Sequence, residues 1–283
     1  MHHLVAGCGW LGSEVARRLV ARGDRVTALV RTEESARRLR APGLSVHALD
    51  LTAGHAWDFP PIFDGVVAAV AASGPTPANY RRAYVEATRK LLESEVAIRV
   101  PFVYVSSTGV FGRSDGSWVD EATPASPADA NSEVLVEAER LVLDATRHAA
   151  KPLVVRCSGL YGPGRSGVIE RVRSGALAWG AGDGAWMNFS HRDDAATVVI
   201  AALDRGKPGA IYHATDAAPS TRHDVVAWIA ARLGIEPKES EAGGAAPGRS
   251  RPNRRVSGEA TRRELDIPLA YPSFREGLAP LLA

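Results

Sequence analysis

The strongest constraint on the fold is a regular alternation of short β-rich runs with longer helical patterns. The β-rich runs read HHLVA, RVTALV, SVHAL, VVAAVAA, PFVYVS and PLVVRC. Helical patterns lie between them, near residues 11–22, 33–40, 77–95 and 131–149. Strands that alternate with helices of this length form βαβ crossovers. The sequence therefore predicts an α/β protein with a doubly wound parallel sheet.

The second half of the chain has a looser pattern. Its 283 residues are enough for one large core with a smaller appendage. We expect a main domain over 1–157, to which 189–215 returns. The remaining segments, 158–188 and 216–283, are expected to form a smaller C-terminal lobe. The stretch 239–255 is rich in Gly, Ala, Pro and Arg and is predicted to be a mobile loop.

Charge and composition exclude several classes of protein. The formal net charge of +2 is too small to indicate a nucleic-acid or membrane surface, and no run approaches the roughly 20 apolar residues of a membrane span. Cys8 and Cys157 do not form a disulfide framework and fit a reducing compartment, so we expect a cytoplasmic protein. No residues have the spacing of metal ligands, and no metal is expected.

The first strand ends in AGCGWLG, which places Gly7, Gly9 and Gly12 in a Gly-x-Gly-x-x-Gly spacing. In this motif the first glycine permits a tight turn, the second lets a pyrophosphate approach the backbone, and the third allows close helix packing. The helix that follows offers free N–H groups and the positive end of its dipole. Because the motif follows a strand and opens a helix, it predicts a dinucleotide site.

The second strand ends Leu29-Val30-Arg31, where a site for NAD usually has a carboxylate that binds the adenosine ribose. An arginine at this place can instead pair with a 2′-phosphate. The sequence therefore favours NADP over NAD. The alternative is a solvated arginine at a strand end.

Several later motifs add to the glycine turn. They read VYVSSTGVFG (103–112), DEATP (120–124), VVRCSGLYGPGR (154–165), HRDDAA (191–196) and NRRVSGEATRREL. Together they resemble the extended short-chain dehydrogenase/reductase family, in the branch of nucleotide-sugar epimerases and dehydratases. The resemblance implies a Rossmann-type sheet, a C-terminal lobe that binds a small-molecule substrate, and a homodimer formed through the two long helices. The cofactor contacts that we expect are Gly7, Gly9, Trp10, Leu11, Gly12, Arg31, Asp50, Leu51, Ala71, Ala72, Ser106 and Ser158.

The same resemblance assigns catalytic positions. Ser107 matches the family's catalytic serine, and Thr108 is a second hydroxyl candidate; the alternative for both is capping of a strand end. The family's acid/base couple is a tyrosine four residues before a lysine, and alignment on DEATP and Ala138-Glu139 places Asn131 and Leu135 there. Neither residue can act as that couple. The chain therefore resembles an atypical subgroup that has lost it.

Hydride transfer to a ketone then needs another proton donor. Tyr161 and His191 are the candidates from the sequence. Alternatively, Tyr161 shapes its loop, and His191 caps a strand or pairs with Asp193 or Asp194. A reaction that develops little negative charge on oxygen could proceed without a donor, since correct orientation alone supplies roughly 7 to 11 kcal/mol.

Substrate contacts are expected where segments meet the strand ends. The candidates are Tyr80, Phe111, Arg113, Asn131, Arg165, Trp186 and Asn188, and plain packing or solvation is the alternative for each. The arginine-rich stretch 249–255 either grips an anionic substrate or is a solvated loop. These patterns predict an NADP-dependent oxidoreductase with a non-standard proton donor. The competing hypothesis is a catalytically silent redox sensor, and sugar epimerisation is disfavoured because it needs a deprotonated hydroxyl.

Overall fold

The computed structural model describes residues 1–53, 62–97, 99–145, 151–178, 184–237 and 253–282. Its strands are β1 (His2–Ala6), β2 (Arg25–Val30), β3 (Leu44–Ala48), β4 (Gly65–Ala68), β5 (Pro101–Ser107), β6 (Trp118–Val119), β7 (Lys151–Cys157), β8 (Gly159–Tyr161), β9 (Trp186–Met187), β10 (Phe189–His191), β11 (Ile211–Ala214), β12 (Ser220–Thr221) and β13 (Arg255–Val256). Its α-helices are α1 (Trp10–Ala21), α2 (Glu33–Leu39), α3 (Pro77–Tyr80), α4 (Ala87–Glu93), α5 (Ala130–Asp144), α6 (Gly167–Arg173), α7 (Arg192–Arg205), α8 (Arg222–Leu233), α9 (Glu259–Glu264) and α10 (Phe274–Leu278).

Seven strands form one parallel sheet in the order β11-β7-β5-β4-β1-β2-β3. The chain builds outward from β1 to β3 and then crosses back to place β4 on the other side of β1. This reversal is the topological switch point, where open α/β sheets bind ligands beyond the carboxyl ends of their strands. The predicted α/β class and Rossmann-type parallel sheet are confirmed.

Helices cover both faces of the sheet. On one face α1 and α7 pack together, and the apolar stripe of α1 that the sequence shows, Leu11, Val15 and Leu19, is buried there. On the other face α4 and α5 bury Leu91, Ala138 and Val142 against the strands. None of the helices in the described residues is both long and apolar enough to cross a bilayer.

The predicted helix near 77–95 is interrupted. It begins as α3, continues as the π-helical turn Arg81–Glu86 of six residues, and resumes as α4. A π-turn inserts a residue into the helical ladder and rotates the side chains that follow it. Local capping agrees with the sequence, since Thr76 caps α3 and Asp129 forms a capping box with Ser132 at the start of α5. The predicted end of that helix, 146–149, lies outside the described residues.

A separate apolar cluster joins β8 and β10 to helices α6, α8 and α10, and it includes Phe189 from the segment that was expected to return to the main domain. A second, smaller cluster joins the segment after β5 to α5 and to the β6–β13 pair. Its buried members are Val110, Phe111, Val119, Leu135, Val136 and Val256, and we refer to it as the Leu135 cluster. Of the predicted loop 239–255, residues up to 252 lie outside the described residues.

Candidate functional site

The glycine turn between β1 and α1 contains three glycines with different surroundings. Gly7 has a φ of +83°, and a Cβ there would lie 2.5 Å from the backbone nitrogen of Val70. A Cβ at Gly12 would lie 2.5 Å from the carbonyl oxygen of Gly7. At Gly9, by contrast, the nearest atom to an added Cβ is 4.0 Å away, and no side chain caps α1. The protein's own packing therefore requires Gly7 and Gly12, whereas Gly9 leaves open space at an uncapped helix N-terminus.

A cleft of about 490 Å³ begins at this turn and follows the switch point. A volume of this order is typical of sites for small molecules and cofactors. Of the predicted cofactor contacts, Gly7, Gly9, Arg31, Asp50, Leu51 and Ala71 line it. It is also lined by residues that the sequence analysis missed, among them Ser35, Thr52, Ser73, Asn79 and Arg82. The strand-end rule points to Ser73, but nothing local in the sequence indicates Arg82.

At the end of the cleft away from the glycine turn, one acidic residue is paired with an arginine and a second arginine is not. Asp50 accepts hydrogen bonds from the backbone and hydroxyl of Thr52, at 2.9 and 2.7 Å, and from Arg82 at 2.8 Å. The Thr52 hydroxyl bond, with the charge of Arg82 in addition, lowers the pKa of Asp50. Arg31 is exposed and forms no ion pair with any described residue. The charge of Asp50 is therefore neutralised by Arg82, and the Arg31 guanidinium remains available to an anion.

Five of the other predicted cofactor contacts lie outside this cleft lining. Trp10 donates its indole N–H to the Pro163 carbonyl at 2.9 Å, and the Arg165 guanidinium lies 5.3 Å from its ring. Leu11 and Gly12 are buried in helix packing. Ala72 follows the lining residue Ala71. The buried Ser158 hydroxyl has no hydrogen-bond partner among the described residues.

The sixth, Ser106, belongs to a buried polar network that the sequence analysis did not find. Its hydroxyl donates to Glu139 at 2.6 Å, and Arg156 donates to the same carboxylate at 2.7 Å. All three side chains are buried. The network ties the end of β5 to α5 and β7, so the Ser106 hydroxyl is occupied by the protein itself.

Ser107 and Thr108 lie at the carboxyl end of β5. The Ser107 hydroxyl oxygen accepts from the Gly109 N–H at 3.0 Å and so caps the short turn over 108–110. Thr108 is buried, and its carbonyl accepts from Arg254 at 2.7 Å. The capping alternative therefore describes Ser107 in this state, although its half-buried hydroxyl still lies at the strand end where the resemblance expects it.

The two positions of the missing acid/base couple have other partners. Asn131 donates its amide N–H to the Pro75 carbonyl at 2.7 Å and so connects α5 to the loop after β4. Leu135 is 6% exposed within the Leu135 cluster. A Cβ added to Gly109 would lie 3.3 Å from the Ser107 hydroxyl and 3.6 Å from Leu135, so both residues flank the same turn. An apolar side chain therefore lies beside Ser107.

Tyr161 and His191, the replacement donors expected from the sequence, both have structural surroundings. The Tyr161 ring packs edge-on to Phe189 and His191, at 5.7 and 5.3 Å, and a Cβ at Gly277 would overlap its hydroxyl. Burial raises the pKa of Tyr161. His191 accepts from the Asp193 N–H at 3.2 Å and caps α7, and burial lowers its pKa. Both residues fit the structural alternatives, because both are buried and Tyr161 packs between aromatic rings while His191 caps α7.

The substrate candidates separate into two groups. Phe111 is fully buried, 5.7 Å from His213 and 4.9 Å from the Arg156 guanidinium, and the packing alternative describes it. Asn188 accepts from Val256 and donates to the Arg254 carbonyl, so its amide holds β13. The candidates that keep exposed or partly exposed surface are Tyr80, Arg113, Asn131, Arg165, Trp186 and Asn188.

The described end of the arginine-rich stretch 249–255 is not a solvated loop. Arg254 is buried beneath Thr108, and burial lowers its pKa to about 10. The Arg255 guanidinium lies 5.0 Å from the rings of both Trp118 and Trp186. Residues 249–252 lie outside the described residues. These two arginines therefore fix β13 against the segment that follows β5.

Comparisons with known proteins agree with this geometry. The profile of a family described as "NAD dependent epimerase/dehydratase family" matches residues 3–214. Protein YeeZ of Escherichia coli K12 is 29% identical over 241 residues, which cover 83% of this chain and 85% of that protein. A 4-hydroxy-2-methyl-3-oxo-4-farnesyl-3,4-dihydroquinoline-1-oxide ketoreductase of Stigmatella aurantiaca is 28% identical, over 82% of this chain and 73% of that protein.

A solved structure is similar over nearly all of both chains. It is that of the dTDP-glucose 4,6-dehydratase DesIV, as a double mutant, from Streptomyces venezuelae with NAD and DAU bound. The TM-score is 0.81 at 20% identity, with 100% of this chain and 96% of that chain covered. At this identity the similarity shows the shared fold.

Proposed function

The chain belongs to the NAD dependent epimerase/dehydratase family and is an enzyme of the oxidoreductase type, and we propose that it transfers a hydride between NADP(H) and a small-molecule substrate. The observation that carries the proposal is the cleft that opens at Gly9 and ends at the unpaired Arg31. The family uses a nicotinamide dinucleotide, which supplies the hydride when it is bound. Reduction of a carbonyl is the reaction class that we favour, because the ketoreductase of Stigmatella aurantiaca is among the relatives.

The residues present fit such a cofactor. The N–H groups at the start of α1 have no side-chain cap, and Gly9 leaves room for a pyrophosphate. Arg31 would pair with the 2′-phosphate through a charge-assisted hydrogen bond, because the nearby Asp50 is already paired with Arg82. Leu51 would provide an apolar edge for the adenine. The preference for NADP over NAD rests on Arg31.

The proton chemistry is proposed to depart from the family's usual couple. Leu135 cannot hold a positive charge beside the nicotinamide ribose, and Asn131 cannot titrate. Ser107 would orient the substrate oxygen from the end of β5. The proton would come from a group outside α5, because α5 has no tyrosine. The small lobe, proposed as residues 158–188 and 216–283, would cover the substrate.

The proposal can be tested through NADPH consumption. Purified protein is mixed with NADPH and a panel of small ketones, aldehydes and quinones, and the loss of the reduced-nicotinamide absorbance is followed. We expect turnover with at least one compound and at least about a tenfold lower rate in Ser107→Ala, since orienting groups at the reacting oxygen contribute this much or more. Ser114→Ala, at an exposed serine on the following loop, is the matched control and should retain the rate. NADPH binding without turnover would favour the redox sensor.

The homodimer remains a proposal from the resemblance. The apolar residues Val134, Leu135, Ala138 and Val142 of α5 are buried in the chain's own core and are not free to form a dimer surface. The outer face of the two helices instead carries the exposed Arg81–Glu137 ion pair. We propose that a dimer would use this polar face. Light scattering that shows a monomer at micromolar concentration would contradict it.

A cytoplasmic location is proposed from the cysteines. Cys8 and Cys157 are both free and buried, and burial raises the pKa of each thiol to about 12. Such thiols are inert and give no sign of an oxidising compartment. Fusion to a fluorescent protein and microscopy of the source cells would test the location, and a signal at the cell envelope would contradict it.

A further inference from the structure

A tyrosine that the sequence analysis did not consider lies in the π-helical turn between α3 and α4. This residue, Tyr84, is partly buried and packs against two clusters at once, the core on the α5 side of the sheet and the Leu135 cluster. Its neighbour Ala83 lines the cleft. π-turns within helices are frequently found at functional sites, where the inserted residue redirects a side chain. The π-turn therefore places Tyr84 between the lining of the cleft, at Ala83, and the Leu135 cluster.

Groups from several segments near the strand ends surround the Tyr84 hydroxyl. The backbone N–H of Ala72, in the loop after β4, lies near the Tyr84 oxygen and acts to lower the pKa of that phenol. The charged and titratable groups that face it are Tyr80 from α3, Tyr104 from β5 and Arg165 from the loop after β8. The Tyr80 ring packs edge-on at 5.1 Å. A backbone N–H and a guanidinium both favour a phenolate at this place.

The other tyrosines have surroundings that remove them from this role. Tyr104 is fully buried within β5, and Tyr161 is buried in the apolar cluster that joins β8 and β10 to helices α6, α8 and α10. The Tyr212 hydroxyl is bonded to Glu264 at 2.6 Å, beside the last strand of the sheet. Tyr271 stacks on His191 at 3.6 Å. Tyr80 shares the location of Tyr84 and serves as its control.

We propose that Tyr84 donates the proton to the substrate oxygen, with the Ala72 N–H and Arg165 stabilising the phenolate that remains. This inference rests on the proposed hydride transfer. As the hydride adds to the carbonyl carbon, the π pair of the C=O bond moves to oxygen, and that oxygen takes the phenolic proton. The tyrosinate then regains a proton from water, and the cofactor leaves oxidised. The phenol would thus come from the π-turn between α3 and α4, and α5 would contribute the apolar Leu135 beside it.

The titration of the phenol provides a test that needs no substrate. Burial raises the pKa of free Tyr84, and the Ala72 N–H and Arg165 partly offset this rise. Oxidised nicotinamide carries a positive charge that reduced nicotinamide lacks. If Tyr84 lies at the reacting carbon, its pKa should therefore be lower by about one unit or more with NADP⁺ than with NADPH, which is a tenfold change in the ionisation constant.

The experiment uses the full chain labelled with ¹³C at the tyrosine Cζ. NMR titrations are recorded in the presence of saturating NADP⁺ and of saturating NADPH, and the Tyr84 signal is assigned by its absence in Tyr84→Phe. Tyr80→Phe identifies the neighbouring ring, and the Tyr212 signal is an internal control that should not respond to the redox state. Binding of NADPH to Tyr84→Phe is measured in parallel and checks that this variant is folded.

The possible results distinguish the role of Tyr84 from the proposed hydride transfer. A Tyr84 pKa that falls selectively with NADP⁺ supports the inference. If both nucleotides bind and the Tyr84 pKa is the same with each, the inference is wrong and the proposed function stands. The same holds if the pKa of another tyrosine responds in place of Tyr84. Failure of both nucleotides to bind would instead overturn the proposed function, and this inference with it.

Discussion

Replacing the three glycines of the first turn one at a time separates folding from cofactor binding. Gly7→Ala forces a side chain into a left-handed conformation at φ +83° and places its Cβ 2.5 Å from the Val70 nitrogen. The conformation costs about 1 to 2 kcal/mol and the overlap roughly 1 to 3 kcal/mol, so we expect a loss of about 2 to 5 kcal/mol of unfolding free energy. Gly12→Ala meets a similar overlap, but the gain in helix propensity, about 1 kcal/mol, offsets part of it.

Gly9→Ala should behave in the opposite way. Its Cβ would meet no protein atom closer than 4.0 Å, so the unfolding free energy should change by no more than about 1 kcal/mol, the scale of a weak helix cap. The same methyl group would occupy the approach of a pyrophosphate, and NADPH affinity should fall at least about tenfold, or about 1.4 kcal/mol.

Two measurements on the same preparations check both halves of the glycine prediction. Thermal unfolding reports stability, at roughly 2 to 4 °C per kcal/mol for a chain of this size, and calorimetric titration reports NADPH affinity. A Gly9→Ala variant that binds NADPH within twofold of the unaltered protein would refute the placement of the pyrophosphate. A Gly9→Ala variant as unstable as Gly7→Ala would refute the packing argument.

Arg31→Ala should weaken NADPH binding by roughly 10- to 100-fold, the loss of one charge-assisted hydrogen bond, and leave NADH binding unchanged, whereas Arg37→Ala should change neither affinity in calorimetry. Asn131→Tyr with Leu135→Lys should not raise turnover of any compound found in the NADPH screen, because a buried lysine costs several kcal/mol or loses its charge; a large gain would mean that the usual couple is merely vacant. Burial raises the pKa of Asp216 to about 8, so the unfolded chain releases this proton first and the native state loses stability as pH rises from about 4 to about 8. Asp216→Asn should therefore gain stability relative to the unaltered protein at pH 8 but not at pH 4, and equal gains in thermal unfolding at both would contradict the assignment.

The sheet and the glycine turn could be predicted because they depend on local patterns. The strand runs are apolar and bounded by turn residues, and the motif fixes a turn, a helix start and a close approach within six positions, Gly7 to Gly12. Right-handed crossovers then limit the strand orders that such a chain can form. The same locality explains why α1 and the start of α5 lie where the sequence placed them.

The rest of the site depends on contacts between distant segments. The π-turn at Tyr84 cannot be read from helical periodicity, since one inserted residue leaves the apolar pattern nearly unchanged. Phe111 follows a strand end, which suggested a substrate contact, but the Arg156 guanidinium covers it from another strand. Arg254 and Arg255 belong to a stretch that reads as solvated, and their partners, Thr108 and two tryptophans, are more than 60 residues away in the sequence.

The cleft at the switch point is proposed to hold a dinucleotide phosphorylated on its adenosine ribose. Calorimetric titration of the unaltered protein with NADPH and with NADH decides this point. The geometry of Gly9 and Arg31 predicts that both nucleotides bind at one site per chain and that NADPH binds at least about tenfold more tightly, which corresponds to about 1.4 kcal/mol. Equal affinities would contradict the role of Arg31, and no binding of either nucleotide would contradict the dinucleotide site itself.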